Sequence, residues 1–208
     1  MDFLKKSILY FKKPKVIFVM ASGQRSYAEA IFQVLKSSFK IQKLNEKIPD
    51  ILNLVNTEIF IIETDFKNKD FLQEVKIFLK NSQLPVLVVA HVTDDKKIED
   101  IKELVQEMPP YGSLIANFDE KIISKIGKIT NLKNFSFGFS EKADFVVSDI
   151  NETENNTNFK LNYNGNIVPV WLKKVSDKEE IYNVLPAICV GILLGLNIVE
   201  MSETLKNL

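Results

Sequence analysis

The chain has 208 residues, 46% of them hydrophobic and 26% charged, a globular composition that excludes an intrinsically disordered polypeptide. Lys plus Arg and Asp plus Glu both number 27, so the net charge is zero; the basic excess of a nucleic-acid binder is missing, and no nucleic-acid partner is expected. One cysteine, Cys189, and one histidine, His91, rule out an internal disulfide, CxxC chemistry and a His-rich metal site, and a reducing cytoplasm fits best.

Residues 1–14 form a basic, aromatic lead-in. Phe3, Leu4, Ile8, Leu9 and Phe11 interleave with Lys5, Lys6, Lys12 and Lys13, and Lys15 follows. The lysines break up the apolar residues too much for a secretory signal. Such a segment packs as a helix on the domain, frays, or lies on an anionic membrane surface, which would place the protein at the inner membrane face.

Residues 15–208 read as one domain. Val16 to Met20 is an apolar, β-branched run of the kind found in buried parallel strands. A polar turn, Ala21 to Ser26, leads to a helix with Ala28, Ile31, Phe32 and Leu35 on one face. Ile41 to Leu44 is a short strand, Ile48 to Val55 a helix, and Ile59 to Ile62 a second buried strand ending at Glu63-Thr64-Asp65. The alternation continues with a helix over 71–79, a strand over 85–90 ending at His91, a helix over 98–105 and a strand over 113–116 ending at Asn117. Alternating strands and helices imply βαβ units and a mostly parallel sheet flanked by helices. Its polar strand ends are where such sheets bind ligands.

After about residue 133 the pattern changes. Residues 135–139, 144–150, 158–163 and 167–172 read as successive strands of a largely antiparallel extension, with Asn164-Gly165 as a hairpin turn. A long apolar helix over 179–196 and a short amphipathic one over 199–205 close the chain. The longest apolar stretch, Val184 to Leu196, is shorter than the ~20 residues that span a bilayer.

Three segments carry a family resemblance. PKVIFVMASGQRSYAEAI aligns without a gap to a strand-loop-helix whose loop reads G-T-N-G-K-T. Met108-Pro-Pro-Tyr-Gly112, a strand, then Asn117-Phe-Asp-Glu120 is similar to "L-P-P-x-G, strand, N-A-D-D". FSFGFSEKADFVVSDI, a hairpin and IYNVLPAICVGILLGLN are similar to "F-G, strand, hairpin, H-N-x-x-N-A-L-A-A". In this order the segments resemble the central, ATP-binding domain of the Mur ligases, nearest in flavour to the members that add D-Ala-D-Ala to the muramyl tripeptide. Complete members carry an N-terminal substrate domain and a C-terminal amino-acid domain, which another chain would have to supply here.

The resemblance implies ATP and Mg²⁺ as cofactors and a P-loop-like cradle of Ser22, Gly23, Gln24, Arg25 and Ser26. Arg25 stands at the Lys position and Ser26 at the Mg²⁺-holding Thr. The two family glycines are replaced by Ala21 and Gln24, and a Cβ in a glycine-only conformation costs about 1 kcal/mol or more. Read from the residues alone, the same stretch is a plain strand-to-helix turn capped by Ser22.

Glu63 matches a metal-holding Glu, with Asp65 able to assist; both also suit a solvated loop. Asn117 and Asp119 match residues near the ribose and base, and Asn183 the second Asn of the helix motif beside the adenine. The asparagines equally suit capping or turns. Glu179-Glu180 replace the family's His-Asn, and negative charge there opposes a nucleotide. Ile101 occupies the position of the family's carbamylated Lys, and Lys102 points about 100° away. His91 is a weak catalytic candidate or a loop residue.

Three functions are therefore open. One is an ATP-dependent carboxylate–amine ligase of peptidoglycan precursor synthesis, or its pseudoenzyme remnant. Another is a non-catalytic scaffold for a cell-wall ligase, precursor or nucleotide. The third is a peripheral membrane adaptor.

Overall fold

The structure is a computed structural model that describes residues 3–21, 27–45, 47, 49–64, 68–92, 97–120, 126, 131–175 and 177–206. Its first half comprises α1 (Phe3–Lys12), β1 (Lys15–Ala21), α2 (Tyr27–Leu35), β2 (Ile41–Asn45), α3 (Ile51–Asn56), β3 (Ile59–Thr64), α4 (Lys69–Lys80), β4 (Pro85–His91) and α5 (Lys97–Glu107). There follow β5 (Ser113–Asn117), β6 (Lys133–Gly138), β7 (Phe145–Glu152), β8 (Asn156–Tyr163), β9 (Asn166–Lys173), α6 (Lys178–Leu193) and α7 (Ile198–Leu205).

The strands form one nine-stranded sheet in the order β2-β3-β1-β4-β5-β6-β7-β8-β9. β2 through β7 in that order run parallel, and only the β7–β8 and β8–β9 pairs are antiparallel. The central runs 16–20, 59–62 and 85–90 are apolar throughout because both faces are covered. Ile17, Val19, Ile61, Val86 and Val88 pack into one cluster with α2, α6 and the C-terminal strands. Phe18, Met20, Phe60, Ile62, Leu87 and Val89 pack into a second cluster with α4 and α5, joined by Leu9 of α1 and Leu54 of α3. Alternate residues of one strand thus feed opposite cores, as the pleat requires.

Local chemistry sets the helix starts. Asp50 caps α3 by accepting from the Asn53 N–H at 2.8 Å, so the helix begins at Ile51; Ile48, the expected start, lies outside the described residues. Asn68 and Asp177 cap α4 and α6 in the same way. Glu179 and Glu180 lie in the first turn of α6, where the helix dipole favours negative charge. Pro186 lies inside α6 and leaves the Tyr182 carbonyl without its helical donor.

The antiparallel extension starts later than residue 133. β6 pairs parallel with β5, and β7 pairs parallel with β6 through only Phe137–Phe145 and Gly138–Val146. Parallel neighbours ordinarily need a crossover of about a dozen residues. Here the short connection 139–144 suffices, because β7 starts beside the last two residues of β6 and runs on beyond them. The β8–β9 turn has Asn164 at φ 49° and Gly165 at φ 78°, the left-handed pair a two-residue hairpin demands.

β9 ends the sheet, and α7 covers its outer edge. The Trp171 N–H donates to Ser202 Oγ at 3.4 Å, and the Ser202 hydroxyl reaches the Pro169 carbonyl at 3.2 Å. Among the described residues, no helix is long and apolar enough to cross a membrane.

Candidate functional site

Parallel pairing brings the carboxyl ends of β1, β3, β4 and β5 to one edge of the sheet. The chain leaves β1 for β2 and β3 on one side, then crosses to β4 on the other. That reversal opens a crevice at the strand ends. Ala21, Glu63, His91 and Asn117 all stand there.

Ser22, Gly23, Gln24, Arg25, Ser26 and Asp65 lie outside the described residues. The elements on either side of the turn are described. β1 delivers the chain to Ala21, α2 takes it up at Tyr27, and Glu63 Oε1 accepts from the Ala28 N–H at 3.4 Å. A carboxylate at a helix N-terminus suits the dipole. Glu63 therefore stands beside the start of α2.

A cleft of about 240 Å³ lies over β4 and β5, lined by Tyr27, His91, Asn117, Asp119, Glu120, Glu179 and Tyr182. Its floor is a polar turn. Asn117, nearly fully buried, accepts through Oδ1 from the Asp119 N–H at 3.0 Å, and its carbonyl accepts from the Glu120 N–H at 3.2 Å. This is the asparagine turn foreseen as the plain alternative to nucleoside contact.

Asp119 ties three segments together. Its carboxylate accepts from the Phe139 N–H at 2.6 Å, the Ser140 N–H at 3.1 Å and the Tyr182 hydroxyl at 2.7 Å. The Tyr182 ring also meets Phe139 edge-on, with centroids 5.0 Å apart. Gly138 makes the approach feasible, since a Cβ there would lie 2.4 Å from Asp119 Oδ2. Burial first, then the Asp119 carboxylate, pushes the Tyr182 phenol well above its ordinary pKa.

His91 has a partner that the sequence alone did not supply. Its Nδ1 lies 2.7 Å from Glu120 Oε1. In the sequence Glu120 closes the Asn117 to Glu120 motif without a role of its own, and Tyr182 stands beside Asn183 with none. The signal for both was position: one ends the motif at β5, and the other lies three residues after Glu179 on the same helix face.

Asn183 is not part of this cleft. It lies about 100° around α6 from Tyr182 and lines a separate hollow of about 240 Å³ with Glu29, Leu172, Lys173, Glu180 and Val184. Its Oδ1 is buried there without a hydrogen-bond partner. The structure therefore unites His91, Asn117 and Asp119 and places Asn183 elsewhere.

The described residues do not by themselves fit a nucleotide polyphosphate. Those lining the cleft include Asp119, Glu120 and Glu179 and no Lys or Arg. Asp119 is engaged by its own chain, and the cation and hydroxyl expected at the phosphates, Arg25 and Ser26, lie outside the described set. Among the described residues no group of three or more His, Cys, Asp or Glu is placed to hold a metal. Ile101 is fully buried in the apolar cluster under α5, while Lys102 points outward to Glu99 at 2.6 Å.

The class these features define is a mixed α/β domain: a mostly parallel sheet with its polar groups at the carboxyl strand ends and an antiparallel edge. Comparison narrows it. Residues 89–191 match the Mur ligase middle domain, which relates the chain to the ligases of peptidoglycan precursor synthesis. It is 25% identical over 154 residues to the UDP-N-acetylmuramate–L-alanine ligase of Persephonella marina, covering 72% of this chain and 32% of that protein. To the ligase of the same name from Brachyspira hyodysenteriae it is 25% identical over 166 residues, covering 74% and 34%.

Solved structures share the fold. The MurF ligase of Thermotoga maritima in complex with ADP superposes with a TM-score of 0.76 at 19% identity, over 96% of this chain and 50% of that one. The D-alanyl-D-alanyl ligase of Acinetobacter baumannii gives 0.76 at 16%, over 98% and 48%. The chain thus spans about a third of the length of the curated relatives it matches.

Proposed function

We propose that this chain is a Mur-ligase-type central domain in which ATP-dependent ligation is reduced or lost. The observation that carries the reading is Ile101, which holds the carbamylated-lysine position and is sealed inside an apolar core. The adjacent amine, Lys102, lies on the other side of α5 and is bonded to Glu99. The acidic lining of the cleft also disfavours bound phosphates. Kinship with the D-Ala-D-Ala-adding branch is supported by fold likeness, whereas the sequence relatives quoted are L-alanine ligases.

Titration calorimetry with Mg·ATP, paired with phosphate release, tests the reading. The expected result is weak or absent heat and no turnover. Sub-millimolar binding with turnover overturns it, and Arg25→Ala should then abolish the signal and identify the retained cradle.

A second reading is a scaffold for a cell-wall ligase or precursor. It is favoured by the internal pairing of Asp119 with Tyr182 and of His91 with Glu120, which occupies the polar groups without any ligand. Affinity capture with purified cell-wall ligases tests it, and failure to retain any of them removes it.

A further inference from the structure

The N-terminal helix presents its apolar residues outward. At about 100° per residue, Phe3, Leu4, Ser7, Tyr10 and Phe11 of α1 fall within an arc of about 120°. Phe3 is 86% exposed and Phe11 83%, and Leu4 and Tyr10 are exposed beside them. Leu9, the buried residue of α1, lies on the opposite side and anchors the helix to the core under β1. α1 packs alongside α3, whose Leu52 is 75% exposed and whose Val55 is exposed too. Six large apolar side chains therefore stand in water on one pair of adjoining helices. Scattered exposed apolar residues need no explanation, but a clustered set does.

Charge says what would cover this face. Lys6 borders the arc on one side and Lys12 lies beyond the other, both exposed. Lys13 follows in the left-handed conformation at φ 46°, with its Nζ 5.8 Å from the centre of the Tyr10 ring. Residues 3–15 contain Lys5, Lys6, Lys12, Lys13 and Lys15 and no acidic residue, in a chain whose net charge is zero. An outward apolar strip with aromatic residues, flanked by lysines that extend past it, matches a bilayer interface: rings enter the acyl boundary and ammonium groups meet anionic headgroups. A protein partner would need a groove for the strip and acids on both sides of it; an anionic bilayer supplies both without a fitted shape.

We propose that α1, with Leu52 and Val55 of α3, is a docking face for an anionic lipid bilayer. It holds the domain at the surface without crossing it and leaves the strand-end cleft on a different part of the fold. The inference is independent of whether the cleft binds nucleotide.

Co-sedimentation of the full chain with phosphatidylglycerol-containing vesicles, against pure phosphatidylcholine vesicles, is the test. Binding is expected to the anionic vesicles, to weaken with added salt, and to fall at least about tenfold in Lys6→Glu/Lys12→Glu. Phe3→Ser/Phe11→Ser should lower it comparably. Both pairs are surface changes, and unaltered circular dichroism and melting would show the fold intact. No binding to anionic vesicles, equal binding to neutral ones, or retention by both double variants overturns the proposal. So does concentration-dependent self-association lost in Phe3→Ser/Phe11→Ser, which would assign the face to a second copy of the chain.

Discussion

The Tyr182 hydroxyl on α6 donates to Oδ2 of Asp119 at 2.7 Å, joining the end of β5 to the helix that lies across it. Because the same carboxylate also holds the Phe139 and Ser140 amides, one side chain fixes a strand end, a loop and a helix. Tyr182→Phe keeps the ring against Phe139 and removes only the hydrogen bond. We expect a loss of about 1 to 2 kcal/mol, read from the urea midpoint at constant slope. An unchanged midpoint would show that the bond contributes nothing net.

The same pair predicts an alkaline limb. The Tyr182 phenol is raised in the fold, so the protonated form is favoured there over the unfolded chain. Its stabilisation is complete below the ordinary phenol pKa of about 10 and is lost as pH climbs from there toward the folded value. In an ultraviolet titration, Tyr182 should contribute a late ionisation phase. Tyr182→Phe should delete that late phase; its persistence would assign the late phase to another tyrosine.

Gly138→Ala tests the approach of strand to carboxylate. The new Cβ would meet Asp119 Oδ2 at 2.4 Å, and the Phe139 amide and the Tyr182 hydroxyl prevent that oxygen from moving freely. Destabilisation of about 1 to 3 kcal/mol is expected. Combined with Asp119→Ala, the two changes should be markedly less than additive. Additive losses would show that no clash exists.

Cys189 is fully buried in α6, and burial pushes its thiol well above the ordinary value. The thiolate is the reactive species. Native protein should therefore resist an aromatic disulfide reagent, and reaction should appear with urea unfolding. Rapid labelling of folded protein would place Cys189 in a locally opening segment.

On the acid side, Lys43 and then Gln33 hold the Glu29 carboxyl below the usual carboxylate range. A lowered folded value adds stability above the unfolded pKa, and this is lost as pH falls through the folded one. The pair is partly exposed, so the effect is expected to stay below about 1 kcal/mol. Glu29→Gln should flatten the acid limb of the urea-midpoint profile by that small amount; an unaltered limb would mean that solvent screens the pair completely.

The parallel core was legible in the sequence because strands buried on both faces read as unbroken apolar runs: residues 16–20, 59–62 and 85–90 all fall inside observed strands. The hairpin at Asn164-Gly165 was legible for a different reason, since few residues tolerate its backbone. The direction of β6 and β7 was not legible. Strand propensity carries no sign, and a six-residue connection normally signals an antiparallel return. At the site, the strand-end residues were legible individually, but their partners were not. The His91–Glu120 and Asp119–Tyr182 pairs depend on a turn and a helix crossing that no local pattern encodes. The separation of Asn183 from the cleft follows from one step around α6, which only the docking angle of that helix reveals.

The clasp between Ser202 and β9 bears on how copies of this chain behave when crowded. A terminal strand with unpaired amides is a template for another strand. Here the Trp171 amide and the Pro169 carbonyl are already engaged by one hydroxyl, and Pro169 has no amide hydrogen to offer. Concentrated solutions should thus stay free of fibrils seeded at this rim, and Ser202→Ala is the change that would expose it.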